Sequence, residues 1–259
     1  MKVKINKDKK TKTYKVIESW SDVTLESWLR LIDFNKEGKS KEALNTIAEL
    51  SNIPKKLINV LSIKDIAIIM GEISRIQSKE NTELKKIIEV EGIEYGFHPD
   101  LDEITLGEYA DIETFIKLGI DKHLPELMAI LFRPVVEKKN DIYIIEAYDG
   151  KIKIRAEIMK KMPAEQVQAT LVFFLEFRQR IVKDFAIVFA GTDEGNENAI
   201  ASESFAEKWG WFGVMHRLCN QDLSKLGSIT NLSLLECLTW LSYETDLNSQ
   251  NKVQTDGQK

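Results

Sequence analysis

The sequence predicts a mainly α-helical α+β protein: an N-terminal helical unit, then a larger helical part carrying a β-hairpin and short strands. Three observations predict it. Apolar residues recur at helical spacing over most of the chain from Thr24 onward. The period switches to two around residues 87–97 and again at 142–145. A content of 43% hydrophobic and 30% charged residues can bury a sizeable core.

The first fifteen residues carry seven Lys and one Asp, whereas the whole chain has a net charge of −5, so the body is acidic and the lead basic. The lead alternates, as in Val3-Lys4-Ile5 and Tyr14-Lys15-Val16-Ile17, and predicts a solvated edge strand or strand pair rather than a phosphate-binding arm. Leu25, Trp28, Leu29, Leu31 and Ile32 then mark a helix. A second follows through Ala43, Leu44, Ile47, Ala48 and Leu50, and Pro54 opens a short third. Ile66, Ile69, Met70, Ile73 and Ile76 mark a fourth.

Ile87 to Val90 and Ile93 to Phe97, around Glu91-Gly92, predict a β-hairpin. Thr105-Leu106-Gly107-Glu108 is a capping box, in which the Thr hydroxyl accepts the third amide and Glu108 reaches back. Its helix runs to about Leu118, and another from Leu124 stops at Phe132-Arg133-Pro134. Ile142 to Ile145 reads as a strand, 164–190 as the longest helix, 191–203 as a polar loop, and 204–222 and 231–244 as helices. The expected parts are a basic strand-like lead (1–19), a helical unit (20–80), a mixed α+β domain with a long central helix (81–246) and a flexible polar tail (247–259).

One internal echo appears. Val23-Thr24-Leu25 matches Ile104-Thr105-Leu106, each after an acidic step and before an amphipathic helix. The plainer reading is that two helices share a capping solution; a duplicated element is the alternative.

The charge excludes a dedicated nucleic-acid binder, which needs a basic face. No apolar run approaches the roughly 18–20 residues of a membrane span, and the lysine-rich start lacks a secretory signal's apolar core. Cys219 and Cys237 cannot make a disulfide framework. The expectation is a soluble, intracellular chain.

Candidate chemistry thins out on inspection. Gly38-Lys39-Ser40 lacks the earlier Gly and the preceding strand of a phosphate loop. His98-Pro99-Asp100 follows a hairpin and reads as turn chemistry. His98, His123 and His216 have no metal-ligand spacing. Cys219 and His216 share a helix face, but beside Trp211, Phe212, Met215 and Leu218 they read as core. Asp100, Asp102, Glu103, Glu108, Asp111 and Glu113 lack a calcium register and suit helix starts, with a partner-facing acidic patch as the alternative. Trp209, Trp211 and Phe212 cannot all be buried on one helix face, and Trp240 extends the C-terminal aromatic group. No catalytic, cofactor-binding or metal residue is expected; the candidate partner-binding residues are Trp209, Trp211, Phe212, Asp102 and Glu103.

Three stretches carry a family resemblance. They are Trp20-Ser21-Asp22-Val23-Thr24-Leu25 with 50–54 and 61–65; Phe97-His98-Pro99-Asp100-Leu101 through 104–109 to 128–134; and Lys208-Trp209-Gly210-Trp211 with 234–241. The chain resembles the tail assembly chaperones of tailed bacteriophages and related tail and baseplate assembly proteins. That resemblance implies a non-enzymatic factor without cofactor. Such a factor binds other phage tail proteins, such as the long helical tape measure or tube and baseplate parts, in the host cytoplasm during assembly. It implies no small-molecule substrate and no membrane, and leaves a homo-oligomer open. The alternative is a structural virion component of tail, neck or baseplate; an enzyme or nucleic-acid effector comes third. The family has no catalytic motif, so no site residue carries over.

Overall fold

The computed structural model describes residues 2–7, 10–34, 39–76, 83–189 and 208–256. In order these hold β1 (Lys2–Lys7), β2 (Lys10–Lys15), a 3-10 turn (Trp20–Asp22), α1 (Leu25–Phe34), α2 (Lys39–Glu49), α3 (Lys55–Ile58) and α4 (Ile63–Ser74). Next come β3 (Ile87–Val90), β4 (Ile93–Phe97), a second 3-10 turn (Leu101–Glu103), α5 (Leu106–Gly119), a third turn (Ile120–Lys122), α6 (Leu124–Leu131), β5 (Phe132–Lys139) and β6 (Ile142–Ile145). Last are α7 (Ile152–Met159), α8 (Ala164–Asp184), α9 (Ala186–Phe189), α10 (Trp211–Leu218), a turn (Leu223–Lys225), α11 (Leu226–Thr230) and α12 (Leu234–Asp256). The fold is α+β and mainly helical, with two small antiparallel sheets in the orders β1-β2 and β3-β4-β5-β6.

The chain forms two compact units, Met1–Glu94 with Lys153–Val172, and Tyr95–Ile152 with Phe173–Lys259. The division expected after residue 80 falls instead inside β4, and residues 153–172 return to the first unit. Packing decides this: Ala164 belongs to the core of Val16, Val23, Ile47, Leu50, Ile53, Ile58, Ile69 and Ile73. Val3, Ile5 and Tyr14 of the β1–β2 pair pack on that core, while Lys2 and Lys4 point to solvent. In the second unit, Gly96 of β4 runs close against the Tyr143 ring. A Cβ there would lie 2.5 Å from Tyr143 Cε2, so only glycine fits.

The echo in the sequence is a duplicated structure, not merely a shared cap. Leu25 N–H donates to the Met162 carbonyl at 2.8 Å and Ala164 N–H to the Val23 carbonyl at 2.8 Å. In the second unit Leu106 N–H donates to the Leu232 carbonyl at 2.9 Å and Leu234 N–H to the Ile104 carbonyl at 2.9 Å. Thr24 thus bridges Pro163 as Thr105 bridges Ser233. The register continues along both units. Ile17 N–H donates to the Leu50 carbonyl at 3.0 Å; 81 positions on, His98 N–H donates to the Leu131 carbonyl at 2.8 Å. Val16 pairs with Ser51 as Phe97 pairs with Phe132. Each repeat is therefore a hairpin, a 3-10 turn, a Thr-capped helix, a returning helix and a distant closing helix (α8 or α12). Buried Val23, Leu25, Ile47 and Leu50 correspond to buried Ile104, Leu106, Met128 and Leu131.

Three local expectations change. The helix expected over 164–190 breaks at Phe185 into α8 and α9. The helix expected over 204–222 is interrupted at Gly210 (φ +46°), while the polar loop of 191–203 lies outside the described residues. The tail expected to fray after residue 246 is helical to Asp256. Once a helix is nucleated each added residue costs little, and no Gly or Pro occurs before Gly257. Thr245 and Ser249 hydroxyls bond back to the carbonyls of Leu241 and Thr245.

Candidate partner-binding surface

Residues 208–256 of the second unit carry most of the exposed aromatic side chains among the described residues. Their arrangement follows from helical geometry. Trp211 turns inward, edge-on to Tyr109 at 5.1 Å and to Phe189 at 6.2 Å. Phe212, about 100° further round, must then point outward. It meets Trp209 at 5.7 Å, and both rings are nearly half exposed. Lys208 Nζ lies 5.6 Å over the Trp209 ring.

On α12 the residues Leu234, Cys237, Leu238 and Leu241 are buried. The opposite stripe, Trp240, Tyr243 and Leu247, is exposed by 60%, 63% and 41%. Trp240 Nε1 donates to Glu244 at 3.0 Å, and Arg217 Nε donates to the same carboxylate at 2.9 Å. A groove of about 530 Å³ runs beside this stripe, lined by Arg217, Leu218, Ile229, Leu232, Glu236 and Trp240. A smaller 60 Å³ cavity lies against Phe212, His216 and Cys219.

Of the residues singled out in the sequence, the structure brings Trp209 and Phe212 together and turns the half-buried Trp211 toward Tyr109. Asp102 and Glu103 sit on a separate element, the 3-10 turn before α5. Asp102 pairs with Arg180, whose guanidinium lies 5.4 Å over Phe177, while Glu103 stays exposed. The other carboxylates of that cluster also have local partners. Asp100 accepts the Asp102 amide at 2.9 Å, Glu113 accepts Arg178 Nε at 2.5 Å, and Asp111 accepts the Tyr148 hydroxyl.

Sequence reasoning missed two features. The first is the Trp240, Tyr243, Leu247 stripe, legible in its helical spacing but placed in part in a tail expected to fray. The second is a buried charge cluster. Glu108 closes the predicted capping box, accepting the Thr105 amide at 2.8 Å while Thr105 Oγ1 accepts the Glu108 amide at 3.2 Å. The same carboxylate pairs with the buried Arg133, and His98 Nε2 lies 4.0 Å from it. Burial holds the His98 imidazole below its usual range, against the pull of Glu108 and with the help of Arg133. No local pattern joins residues 98, 108 and 133; only the repeat's fold does.

Burial also pushes the Tyr109 phenol up, with the Glu113 carboxylate beside it. The Cys237 thiol is pushed up to about 11 by burial and by Glu236, so at neutral pH it is a thiol rather than a nucleophilic thiolate. Among the described residues no three His, Cys, Asp or Glu side chains converge as a metal site, and no helix is long and apolar enough to cross a membrane. No protein-family model, curated protein or solved structure matches this chain.

Proposed function

We propose that this chain is a non-enzymatic bacteriophage tail assembly factor, a chaperone-like protein that binds another tail protein such as the tape measure. One observation carries the reading: the exposed Trp209–Phe212 pair at the start of α10, with the exposed stripe of α12. Exposed, clustered aromatics rimmed by charge suit a partner's apolar helix face, which such a factor must cover. The resemblance of residues 97–109, 128–134 and 208–211 to tail assembly proteins supports the same reading. Its place of action is then the host cytoplasm during assembly.

A second reading, a resident part of tail, neck or baseplate, is favoured by β1, whose outer edge carries no strand among the described residues. Affinity capture of the tagged chain from producing cells, with purified virions analysed alongside, separates the two. The first predicts a long helical tail protein in the capture and none of this chain in virions. This chain in virions at fixed stoichiometry would overturn it in favour of the second.

A further inference from the structure

A groove of about 530 Å³ lies within the first unit, with Lys4 and Asn6 of β1 on one side and Val60, Asp65 and Ile68 on the other. Val60 and Ile68 are 66% and 56% exposed, so its helical side is apolar and uncovered among the described residues. Asp65 is engaged in the cap of α4, where its carboxylate accepts the Ser62 amide and hydroxyl at 3.3 and 2.6 Å.

The β1 side of the groove is an open strand edge. Lys15 turns its N–H and carbonyl toward Asn52, away from β1. Lys2↔Lys15 is therefore a non-hydrogen-bonded pair, and so, further along, are Lys4↔Thr13 and Asn6↔Thr11. Lys2, Lys4 and Asn6 accordingly present their backbone N–H and C=O groups at the outer edge, where no third strand pairs with them among the described residues. Such a row is a template for strand addition.

Alternation specifies what this edge can take. Val3 and Ile5 turn their side chains to the core, whereas Lys2 and Lys4 turn theirs to solvent. An added strand continues the same two faces. Its residues beside Val3 and Ile5 come down on Val60 and Ile68 and must be apolar; those beside Lys2 and Lys4 must be acidic. Lys2 and Lys15 also act on Glu18, so Lys4 is the cation that the groove offers a ligand. The same lysines disfavour the β1 strand of a second copy, which would set lysine against lysine.

We infer that the outer edge of β1 takes up an extended segment of a different protein, about five residues long, in which acidic and apolar side chains alternate. The segment adds a strand to the β1–β2 sheet, with its acids over Lys2 and Lys4 and its apolar side chains on Val60 and Ile68. It uses no residue of α10 or α12, so the inference does not rest on the tail-assembly reading.

Fluorescence anisotropy of a labelled peptide of alternating Glu and Val, titrated with the purified full chain, tests this. The peptide should bind, and more weakly at high salt. Lys4→Glu and Ile68→Asp, both at exposed positions, should each weaken binding by about tenfold or more with an unchanged circular dichroism spectrum. N-methylating one alternate set of peptide amides should abolish binding, because that set bonds to β1. No binding overturns the inference. So does equal binding of a Lys-Val peptide, which would mean apolar adhesion alone, or binding that survives methylation of each set in turn. A dimer of the chain that the peptide dissolves would put a second copy on this edge and overturn it as well.

Discussion

Leu25 and Leu106 make the same hydrogen bond in two places, each donating its amide to the residue two before a closing helix, Met162 or Leu232, at 2.8 and 2.9 Å. Both leucines are fully buried. Around this pair the chain repeats its architecture, and the predictions below probe that architecture and the groups grafted onto it.

Thr24 and Thr105 cap corresponding helices, accepting the amides of Ser27 and Glu108 at 3.2 Å. Replacing either by Ala should cost about 1 kcal/mol. Thr105→Ala should be the worse of the two, because the buried Glu108 loses a donor with it. Urea midpoints of the two variants provide the measurement; a wild-type midpoint for Thr105→Ala would mean the cap is not stabilising.

Arg133 neutralises Glu108 in the interior of the second unit. Arg133→Met leaves that carboxylate buried and unpaired, and should cost about 3–5 kcal/mol. Adding Glu108→Gln removes the charge while keeping a side chain that reaches the Thr105 amide. The double variant should therefore be milder than Arg133→Met alone. Equal denaturant midpoints for single and double variants would show that the charge is not what matters.

His98 makes stability depend on pH. Its folded-state value lies below the ordinary 6.5, chiefly through burial, with Glu108, Asp100 and Arg133 facing it. The unfolded chain then binds the proton more readily. Its contribution is complete above the unfolded value and is lost as the pH falls below about 6.5, levelling off under the folded value. Thermal melts from pH 8 down to about 5 should show this loss, and His98→Gln should flatten the His98 share of it. An unchanged slope in His98→Gln would assign the dependence to other groups.

Two glycines should respond in opposite directions. Gly96→Ala drives a Cβ into Tyr143 and Ile145, at 2.5 and 2.7 Å, and should destabilise by about 1–3 kcal/mol. Gly71, inside α4, has nothing within 4 Å of a built Cβ. Gly71→Ala should stabilise by about 0.5–1 kcal/mol through helix propensity. Equilibrium unfolding of both in parallel checks the signs, and a stabilising Gly96→Ala would contradict the close approach beneath Tyr143.

Much of the local structure was legible in the residues. The alternation of Val3-Lys4-Ile5, the turn at Glu91-Gly92, and the Thr105–Glu108 box each specify their element through bonds between near neighbours. The mainly helical α+β class follows from the same short-range periodicities. Trp209, Trp211 and Phe212 could be told apart from helix geometry only as a set that cannot all be buried. Which one turns inward depended on the position of Tyr109, a hundred residues earlier.

The duplication was visible only as Thr-Leu repeated 81 positions apart, because its defining contacts are backbone hydrogen bonds that almost any residue can make. Between the repeats the core side chains keep burial but change shape, as Val16 and Phe97 or Ile47 and Met128 do. The sequence by itself therefore determined the elements, their caps and the basic and acidic ends of the chain. Only the tertiary structure decided that α8 and α12 close equivalent modules, that His98, Glu108 and Arg133 meet, and that the stripe of Trp240 and Tyr243 stays bare. Those outcomes rest on contacts between residues far apart in the chain, whose geometry no local pattern encodes.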